Sequence, residues 1–358
     1  MKYEEHKTAC SEDIKECLND LGVQPVIFAG SGLTKRYCGS PSWVELLTLL
    51  AKDNPLVKQD IAYYLQLKLS YPEIGSQLAT LYHQWAWGDG KKCFPEELFS
   101  ANTSSEIYIK YHLSEIVKKH SVLKNPWIKT EIDLLKKIHP NSIITTNYDT
   151  FLERQFPDYT PIVGQKIIKA NNAMIGEVFK IHGCVTSPSE IVFTKSDYES
   201  WNDKKKYLSA KLLTFFLEHP VLILGYSIQD SNVISILKDI DEILCNEGQI
   251  APNIYYVIYD EDVETRKDIP REGMINLENG KSMRVKTLYA NNFSWIFDSF
   301  CSTDGLHNVN PKLLRALVSR TYDLVRHDVP KMTIEVDYST LERAIASDEE
   351  LPRLLGIT

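Results

Sequence analysis

Residues 25–34, which read PVIFAGSGLT, decide the fold class of this chain. Their first half is a short apolar run, which is typical of a strand buried on both faces of a parallel sheet. Their second half, from Gly30 to Gly32, places small residues where such a strand turns into a helix. The stretch therefore predicts a strand–turn–helix unit of an α/β protein.

Strands and helices alternate over the rest of the chain outside residues 52–140. An earlier helix is predicted for residues 11–21, with Ser11 or Asp13 as its cap and Gly22 as its end. Strands are predicted at 142–145, 176–181, 190–193, 221–224, 254–258 and 283–288, and helices at 43–50, 148–154, 204–217, 230–244 and 292–299. This alternation predicts a Rossmann-like, doubly wound parallel sheet with helices on both faces.

Two regions depart from this alternation. Residues 52–140 carry helical periodicity at 57–69, 73–87, 106–119 and 127–138, with weak strand signals. We interpret them as a helical insertion within a catalytic domain of residues 1–310. Residues 311–358 are helical and charged, and we interpret them as a C-terminal assembly or capping segment.

The cysteines indicate a reduced, metal-free protein in the cytoplasm. A chain with seven scattered cysteines and no C-x-x-C pair lacks the close ligand pairs that structural zinc sites usually use. The first residues, MKYEEH, contain no apolar signal-peptide core, and the apolar runs are too short to cross a bilayer. The cysteines are Cys10, Cys17, Cys38, Cys93, Cys184, Cys245 and Cys301.

The net charge of −8 argues against direct nucleic-acid binding. Proteins that bind duplex DNA usually present a basic face, because phosphate neutralisation supplies most of the non-specific affinity. The basic clusters at 118–119 and 204–206 are explained more simply as solvated helix ends or loops. Nucleic acid is therefore expected, if at all, only as a partner of a larger assembly.

Four predicted strands end in small or polar residues. In an open parallel sheet, ligands bind beyond the carboxyl ends of the strands. Each signal also has a plain explanation as a tight bend, a helix cap or a packed histidine. The full G-x-G-x-x-G signature is absent because Lys35 stands at its last position, which disfavours an ordinary dehydrogenase. The four strand ends are 29–32 (AGSG), 145–149 (TTNYD), 180–183 (KIHG) and 224–227 (LGYS).

Together these residues resemble the sirtuin family, in particular its bacterial branch of NAD-consuming antiphage proteins. The resemblance covers about residues 26–244 and consists of five blocks in the family's order. It departs from the protein deacetylases in lacking the four-cysteine zinc ribbon and in its longer helical stretch between the first two blocks. The blocks are AGSG with GSPSW (29–32 and 39–43), TTNYD (145–149), HG (182–183), TKSDY (194–198) and GYSIQD (225–230).

The resemblance implies that the chain cleaves NAD at the nicotinamide–ribose bond, with NAD as substrate and no metal. Asn147 would contact the ribose and the attacking water, His182 would act as general base, and Asp149 would orient the nicotinamide or the histidine loop. The remaining implied roles concern NAD binding. Gly30, Ser31, Gly32 and Leu33 would cradle the phosphates, Thr146 would contact the NAD, and Gly225, Tyr226 and Ser227 would line the adenosine half.

The resemblance also implies regulation and partners. An unregulated NAD hydrolase would exhaust its own cell, so activity is expected to await assembly or a partner. The implied assemblies are homo-oligomers, in some cases joined to a HerA-type hexameric ATPase, with the insertion and the tail as contact regions. Three other readings remain open: a module that senses NAD or ADP-ribose, an NAD-dependent protein deacylase or ADP-ribosyltransferase, and a purely structural subunit. The product, linear or cyclic ADP-ribose, is not decided by the sequence.

Overall fold

The computed structural model describes residues 1–164, 175–226, 233–234, 237–238, 240–241, 250–277 and 281–301, without the side chains of 202–209. The helices are α1 (Tyr3–Leu21), α2 (Ser31–Cys38), α3 (Trp43–Asp53), α4 (Ile61–Gln66), α5 (Tyr71–Trp87), α6 (Ile107–Lys118), α7 (Pro126–Lys137), α8 (Phe151–Gln155), α9 (Lys195–Glu218) and α10 (Ser294–Phe300). The strands are β1 (Val26–Ala29), β2 (Ser142–Thr145), β3 (Thr160–Val163), β4 (Glu177–Lys180), β5 (Val221–Leu224), β6 (Ile250–Tyr259), β7 (Glu272–Asn276) and β8 (Ser282–Ala290).

The described strands form one sheet in the order β3-β4-β2-β1-β5-β6-β8-β7. Every neighbouring pair is parallel except β7 with β8. The chain runs outward from β1 to β2 on one side and later returns to β5 on the other. The switch in strand order therefore lies at β1, where a crevice for a ligand is expected beyond the carboxyl ends.

Alternate residues of the central strands face two different hydrophobic cores. In β1, Ile27 and Ala29 pack with α1, α2, α7 and α10, whereas Val26 and Phe28 pack with α9. All four residues of β1 are buried. Helices on both faces explain why this strand is a continuous apolar run, and they confirm the predicted doubly wound, Rossmann-like fold.

A third core joins helices α3 to α6 to one end of the sheet. Leu47, Leu78 and Leu113 from these helices pack in one cluster with Val185 and Phe193, which follow β4. Within the predicted insertion of residues 52–140, α7 belongs to a different core, because Ile132 and Leu135 pack with α1 and α10. The domain division proposed from the sequence stays a prediction, and its tail lies outside the described residues.

Capping residues set several helix starts that periodicity alone misplaces. The Thr194 side chain accepts a hydrogen bond from the Asp197 amide, so α9 begins at Lys195 rather than near residue 204. Helix α1 begins at Tyr3, so the expected cap at Ser11 or Asp13 is wrong. Its expected end at Gly22 is confirmed, because Gly22 has the left-handed φ of 61° common after helices.

The structure differs from the predicted strands at three places. Residues 190–193 form no strand: Pro188–Glu190 is a 3-10 turn and 191–193 have no regular structure. Strands β3 and β7 were not predicted, because both lie at sheet edges and expose part of their length. Pro161 within β3 is tolerated because an edge strand leaves one backbone side unpaired. Most of the predicted helix 230–244 lies outside the described residues.

Within the described part of the chain, no helix combines the length and the apolar composition needed to cross a membrane.

Candidate functional site

A cavity of about 760 Å³ opens beyond the carboxyl ends of β1, β2, β4 and β5, between the sheet and helices α3 to α6. Its volume is in the range of small-molecule and cofactor sites. The sheet side contributes strand-end residues and the helical side contributes the starts of α3, α5 and α9. The lining residues are Ser31, Thr34, Ser40, Pro41, Ser42, Trp43, Val44, Leu46, Leu65, Leu69, Ser70, Tyr71, Pro72, Glu73, Val117, Thr146, Asn147, Tyr148, Asp149, His182, Lys195, Tyr198, Glu199, Gly225 and Tyr226.

The turns after β1 and β5 pack directly against each other at the floor of this cavity. The Gly32 amide donates to the Gly225 carbonyl at 2.8 Å, and the Leu33 amide donates to the Gly30 carbonyl at 3.1 Å. A Cβ atom on Gly225 would lie 2.3 Å from the Leu33 nitrogen, and Gly225 has a left-handed φ of 67°. These glycines therefore permit close contact between two loops. The amides of Gly32 and Leu33 already have backbone partners here, and their predicted role toward phosphates stays a prediction.

Tyr226 connects the ends of three central strands. Its ring stacks on Phe28 of β1, with the centroids 4.8 Å apart, and its hydroxyl lies 2.9 Å from the Thr146 hydroxyl beyond β2. A Cβ atom on Gly30 would lie 2.8 Å from the Tyr226 ring, so the ring needs a glycine there. The predicted contact residues Thr146 and Tyr226 thus lie together in the cavity wall.

Asn147 is buried and presents one unsatisfied atom. Its Nδ2 group donates to the Gly30 carbonyl at 3.0 Å, and its backbone amide donates to the Thr145 hydroxyl. Its Oδ1 atom is buried without a hydrogen-bond partner. A buried acceptor without a partner costs free energy, so a donor from a bound ligand or water is expected there.

Asp149 holds the turn that carries Asn147. Its carboxylate accepts a hydrogen bond from the Phe151 amide at 2.8 Å, which closes the turn before α8. Its backbone carbonyl accepts a hydrogen bond from the Lys180 ammonium group. Lys180 is fully buried at the end of β4, and its Nζ atom lies 2.7 Å from Glu153 Oε1. A buried ion pair therefore connects the Asn147 turn to the strand that leads to His182.

His182 is 2% exposed and lines the same cavity. Its ring centroid lies 5.7 Å from that of Tyr198 and 6.0 Å from that of Trp201, both of α9. The following Gly183 has a φ of 91°, and a Cβ atom there would lie 2.5 Å from the Glu190 carbonyl oxygen. The glycine of the H-G pair is thus required by the backbone, because only glycine fits this turn.

The TKSDY block, residues 194–198, links the start of α9 to helix α6. Asp197 accepts from the amides of Phe193 and Thr194, and its Oδ1 atom lies 2.5 Å from Lys110 Nζ of α6. Lys110 is buried, so this ion pair is shielded from water. The block therefore fixes α9, and with it Tyr198, relative to the cavity.

The aromatic wall of the cavity comes from the GSPSW block. Trp43 lies parallel to the Phe193 ring at 5.2 Å and to the Tyr71 ring at 5.9 Å. The Ser42 side chain accepts from the Glu45 amide and starts α3, which fixes the position of Trp43. Such a wall suits a flat ring.

The structure brings most of the predicted site residues to one cavity. Gly30, Gly32 and Leu33 are not among the residues that line the cavity, and Ser227 lies outside the described residues. Sequence reasoning did not assign Glu73, Lys195 or Glu199 to the site, although Lys195 lies in the TKSDY block. The predicted residues in the wall are Ser31, Thr146, Asn147, Asp149, His182, Gly225 and Tyr226. Their individual roles stay predictions.

A family model described as a SIR2-like domain matches residues 141–284, which include β2, β4, β5 and the Asn147 and His182 turns. This match confirms the predicted resemblance to the sirtuin family over that part of the chain.

Three relatives of known name are each called NAD(+) hydrolase ThsA. The Enterococcus faecium protein is 25% identical over 305 residues, covering 82% of this chain and 56% of the relative. The Cytobacillus dafuensis protein is 26% identical over 121 residues, covering 32% and 24%. The Bacillus cereus (strain MSX-D12) protein is 29% identical over 110 residues, covering 29% and 23%. The matches therefore span about half or less of these relatives.

Proposed function

We propose that this chain is an NAD hydrolase that cleaves the nicotinamide–ribose bond. The observation that carries the proposal is that Asn147, with its unpartnered Oδ1 atom, and His182 lie in the wall of one cavity. Three relatives named NAD(+) hydrolase support it.

The cavity residues suit this chemistry step by step. The bond breaks through a state with positive charge on the ribose, and water then adds to the anomeric carbon to give nicotinamide and ADP-ribose. Asn147 Oδ1 accepts a hydrogen bond from a ribose hydroxyl or from the attacking water. His182 takes the proton that the ribose hydroxyl or the attacking water gives up. Histidine suits this role because its side chain ordinarily titrates near neutral pH. The Asp149 turn keeps Asn147 in place.

The rest of the NAD molecule is assigned to the two turns beyond β1 and β5. Ser31 reaches the cavity from the turn that we propose for the phosphates, together with Gly30, Gly32 and Leu33. Gly225 and Tyr226, with Ser227, are proposed for the adenosine half, and Thr146 beyond β2 is proposed to contact NAD. NAD enters as substrate, and we propose no metal; among the described residues no group of three His, Cys, Asp or Glu side chains could hold one.

The first test is release of nicotinamide from NAD by the purified chain. We expect His182→Ala and Asn147→Ala each to lower the rate by about a hundredfold or more, as for loss of a general base or a group that stabilises the transition state. Matched controls are His120→Ala and Asn102→Ala, which lie outside the cavity wall. Equal rates in all variants would contradict the proposal.

The same assay separates the other functional classes. Binding of NAD without nicotinamide release would favour a sensing module. Nicotinamide release only with an acylated peptide or an acceptor protein would favour a deacylase or an ADP-ribosyltransferase. Chromatography of the ribose product would distinguish linear from cyclic ADP-ribose.

We further propose that the activity serves antiphage defence in the cytoplasm and awaits activation within a homo-oligomer, with a HerA-type ATPase as partner. The sirtuin resemblance supports this, together with the toxicity that an unregulated NAD hydrolase would have. Light scattering of the chain without residues 311–358 tests the tail, since an unchanged mass would remove its part in assembly. Repeating the NAD assay with the ATPase tests activation.

A further inference from the structure

The cavity wall has an unusual balance of charge for a site that receives a dinucleotide. Three carboxylates line it, those of Glu73, Asp149 and Glu199. Among the described lining residues, Lys195 carries the single ammonium group. The diphosphate of NAD is a dianion, and its approach to carboxylates is unfavourable unless a cation lies between them.

Lys195 is positioned to move. It is the first residue of α9, and its Nζ atom lies 3.1 Å from Glu73 Oε1 at the start of α5. The Lys195 side chain is 56% exposed, so solvent surrounds this ion pair and it contributes little stability. The Lys195 amide donates to the Ser76 hydroxyl at 2.9 Å, which holds the backbone while the side chain turns.

Glu73 stays in place without Lys195, because its two oxygens have different partners. Oε2 accepts hydrogen bonds from the Ser70 amide at 3.0 Å and from the Ser70 hydroxyl at 2.9 Å, in the capping box that starts α5. Oε1 accepts from Lys195. Release of Lys195 therefore leaves the cap of α5 intact.

Lys195 begins the helix that also contacts His182. Tyr198, one turn further along α9, has its ring centroid 5.7 Å from that of His182. Lys195, His182 and Asn147, whose Oδ1 atom is unpartnered, line the same cavity.

We propose that Lys195 is a diphosphate-binding residue that exchanges the Glu73 carboxylate for the substrate's phosphates. The proposal rests on the proposed function, in that the cavity receives a dinucleotide. It makes Glu73 a competitor of the substrate: the carboxylate neutralises Lys195 in the free protein and releases it on binding.

The chain offers a matched control pair elsewhere. Lys35 lies 2.8 Å from Glu45 Oε2, with both side chains about half exposed, and Glu45 likewise belongs to the capping box of its helix. Neither residue lines the cavity. Removing this pair changes the same kind of surface contact without touching the proposed phosphate contact.

The experiment is calorimetric binding of ADP-ribose to the full chain, which needs no turnover. We expect Lys195→Met to raise the Kd about tenfold or more, as for loss of a hydrogen bond to a charged group. We expect Glu73→Gln, which keeps an oxygen for the α5 cap, to lower the Kd about two- to fivefold, the range of an exposed ion pair. In the Lys195→Met background Glu73→Gln should have no effect, and Lys35→Met should bind like the parent.

Adenosine, which has no phosphate, provides the second probe. We expect Lys195→Met to leave the adenosine Kd unchanged, whereas damage to the cavity would weaken both ligands. An unchanged ADP-ribose Kd in Lys195→Met, or equal weakening of both probes, overturns the proposal. A Glu73→Gln effect that persists without Lys195 overturns the exchange, and absence of ADP-ribose binding by the parent overturns the whole inference.

Failure of the hydrolase proposal has a different signature. If the parent binds ADP-ribose with the expected Lys195 and Glu73 dependence but releases no nicotinamide from NAD, the hydrolase proposal fails for the isolated chain and the phosphate exchange stands. If nicotinamide is released while Lys195→Met binds ADP-ribose normally, the hydrolase proposal stands and the phosphate exchange fails.

Discussion

Two buried ion pairs, one away from the cavity and one beneath it, differ in how completely their atoms are satisfied. Away from it, Glu131 accepts two hydrogen bonds from Arg36, one from the Tyr37 hydroxyl and one from the Phe293 amide. Beneath the cavity, Glu153 pairs with Lys180, and its Oε2 atom is buried without a partner.

The difference indicates different tasks. The Arg36–Glu131 pair joins α2, α7 and the segment before α10, and the Arg36 guanidinium also lies 4.2 Å from the Phe293 ring centroid. We call α1, α2, α7 and α10 the structural layer. A fully satisfied network of this kind rigidifies a core, whereas a partly satisfied one costs free energy and suggests a positioning role. The Lys180–Glu153 pair connects the Asn147 turn to the His182 strand.

The largest expected effect is on stability, from Glu131→Ala in the structural layer. Glu131 is fully buried and Arg36 is partly buried, and the change leaves the Arg36 charge and two other donors without their acceptor. We therefore expect the free energy of unfolding to fall by about 3 kcal/mol, the lower end for breaking a buried pair. Urea unfolding followed by circular dichroism measures it. A loss within 1 kcal/mol, on the order of an exposed ion pair, would remove the contrast between the two pairs.

A smaller effect on stability is expected when the pH is lowered, because of His6. This residue is fully buried in the structural layer. Its Nε2 atom accepts from the Tyr289 amide at 3.2 Å. Desolvation by burial, with a smaller contribution from Arg271, lowers the pKa of His6 from 6.5 to about 4. Below pH 6.5 the unfolded chain therefore binds a proton that the folded chain does not, and this site loses stability as the pH falls toward 4.

Between pH 7 and pH 5.5 the His6 contribution should amount to about 1 kcal/mol of lost stability. Urea unfolding at both pH values measures it, with His6→Gln as the control, because glutamine keeps an acceptor and does not titrate. The same pH dependence in both proteins would show that His6 is not its source.

The smallest expected effect on stability comes from replacing the whole pair beneath the cavity, in Lys180→Met/Glu153→Leu. Exchange of a buried ion pair for apolar side chains of similar volume is often neutral, so we expect a change within about 1 kcal/mol. The Asp149 carbonyl loses its donor, and nicotinamide release should fall by about ten- to a hundredfold through misplacement of Asn147.

A double variant that is as stable as the parent but slower would show that the Lys180–Glu153 pair positions Asn147 rather than stabilising the fold. Normal activity would show that the Lys180–Glu153 pair is merely structural. In that case the unpartnered oxygen of Glu153 would have no functional explanation.

The sequence predicted the centre of the fold more accurately than its edges. The predicted bounds of β2 and β5 agree with the structure, because both strands are buried on both faces and carry β-branched or apolar residues throughout, apart from Ser142 at the start of β2. Strands β3 and β7 escaped prediction because edge strands expose part of their residues and carry a weaker pattern. The predicted strand at 190–193 is apolar because Ile191 and Phe193 pack into the helical core instead.

The candidate site divides in the same way. Its sheet side was predictable, since parallel strands place their carboxyl ends at one edge, and Asn147 and His182 follow two of these strands. Its helical side was not, because Glu73 and Lys195 are far apart in sequence and each is explained locally by a helix start.

The sequence by itself determined the parallel sheet, the turns after its central strands and the residue types that those turns carry, because apolar periodicity and glycine placement act over a few residues. Only the tertiary structure decided which acceptor remains unpartnered, which carboxylate holds Lys195 and which glycines let the β1 and β5 turns touch. Those features depend on contacts between segments that are far apart in the sequence, and tertiary packing sets their distances.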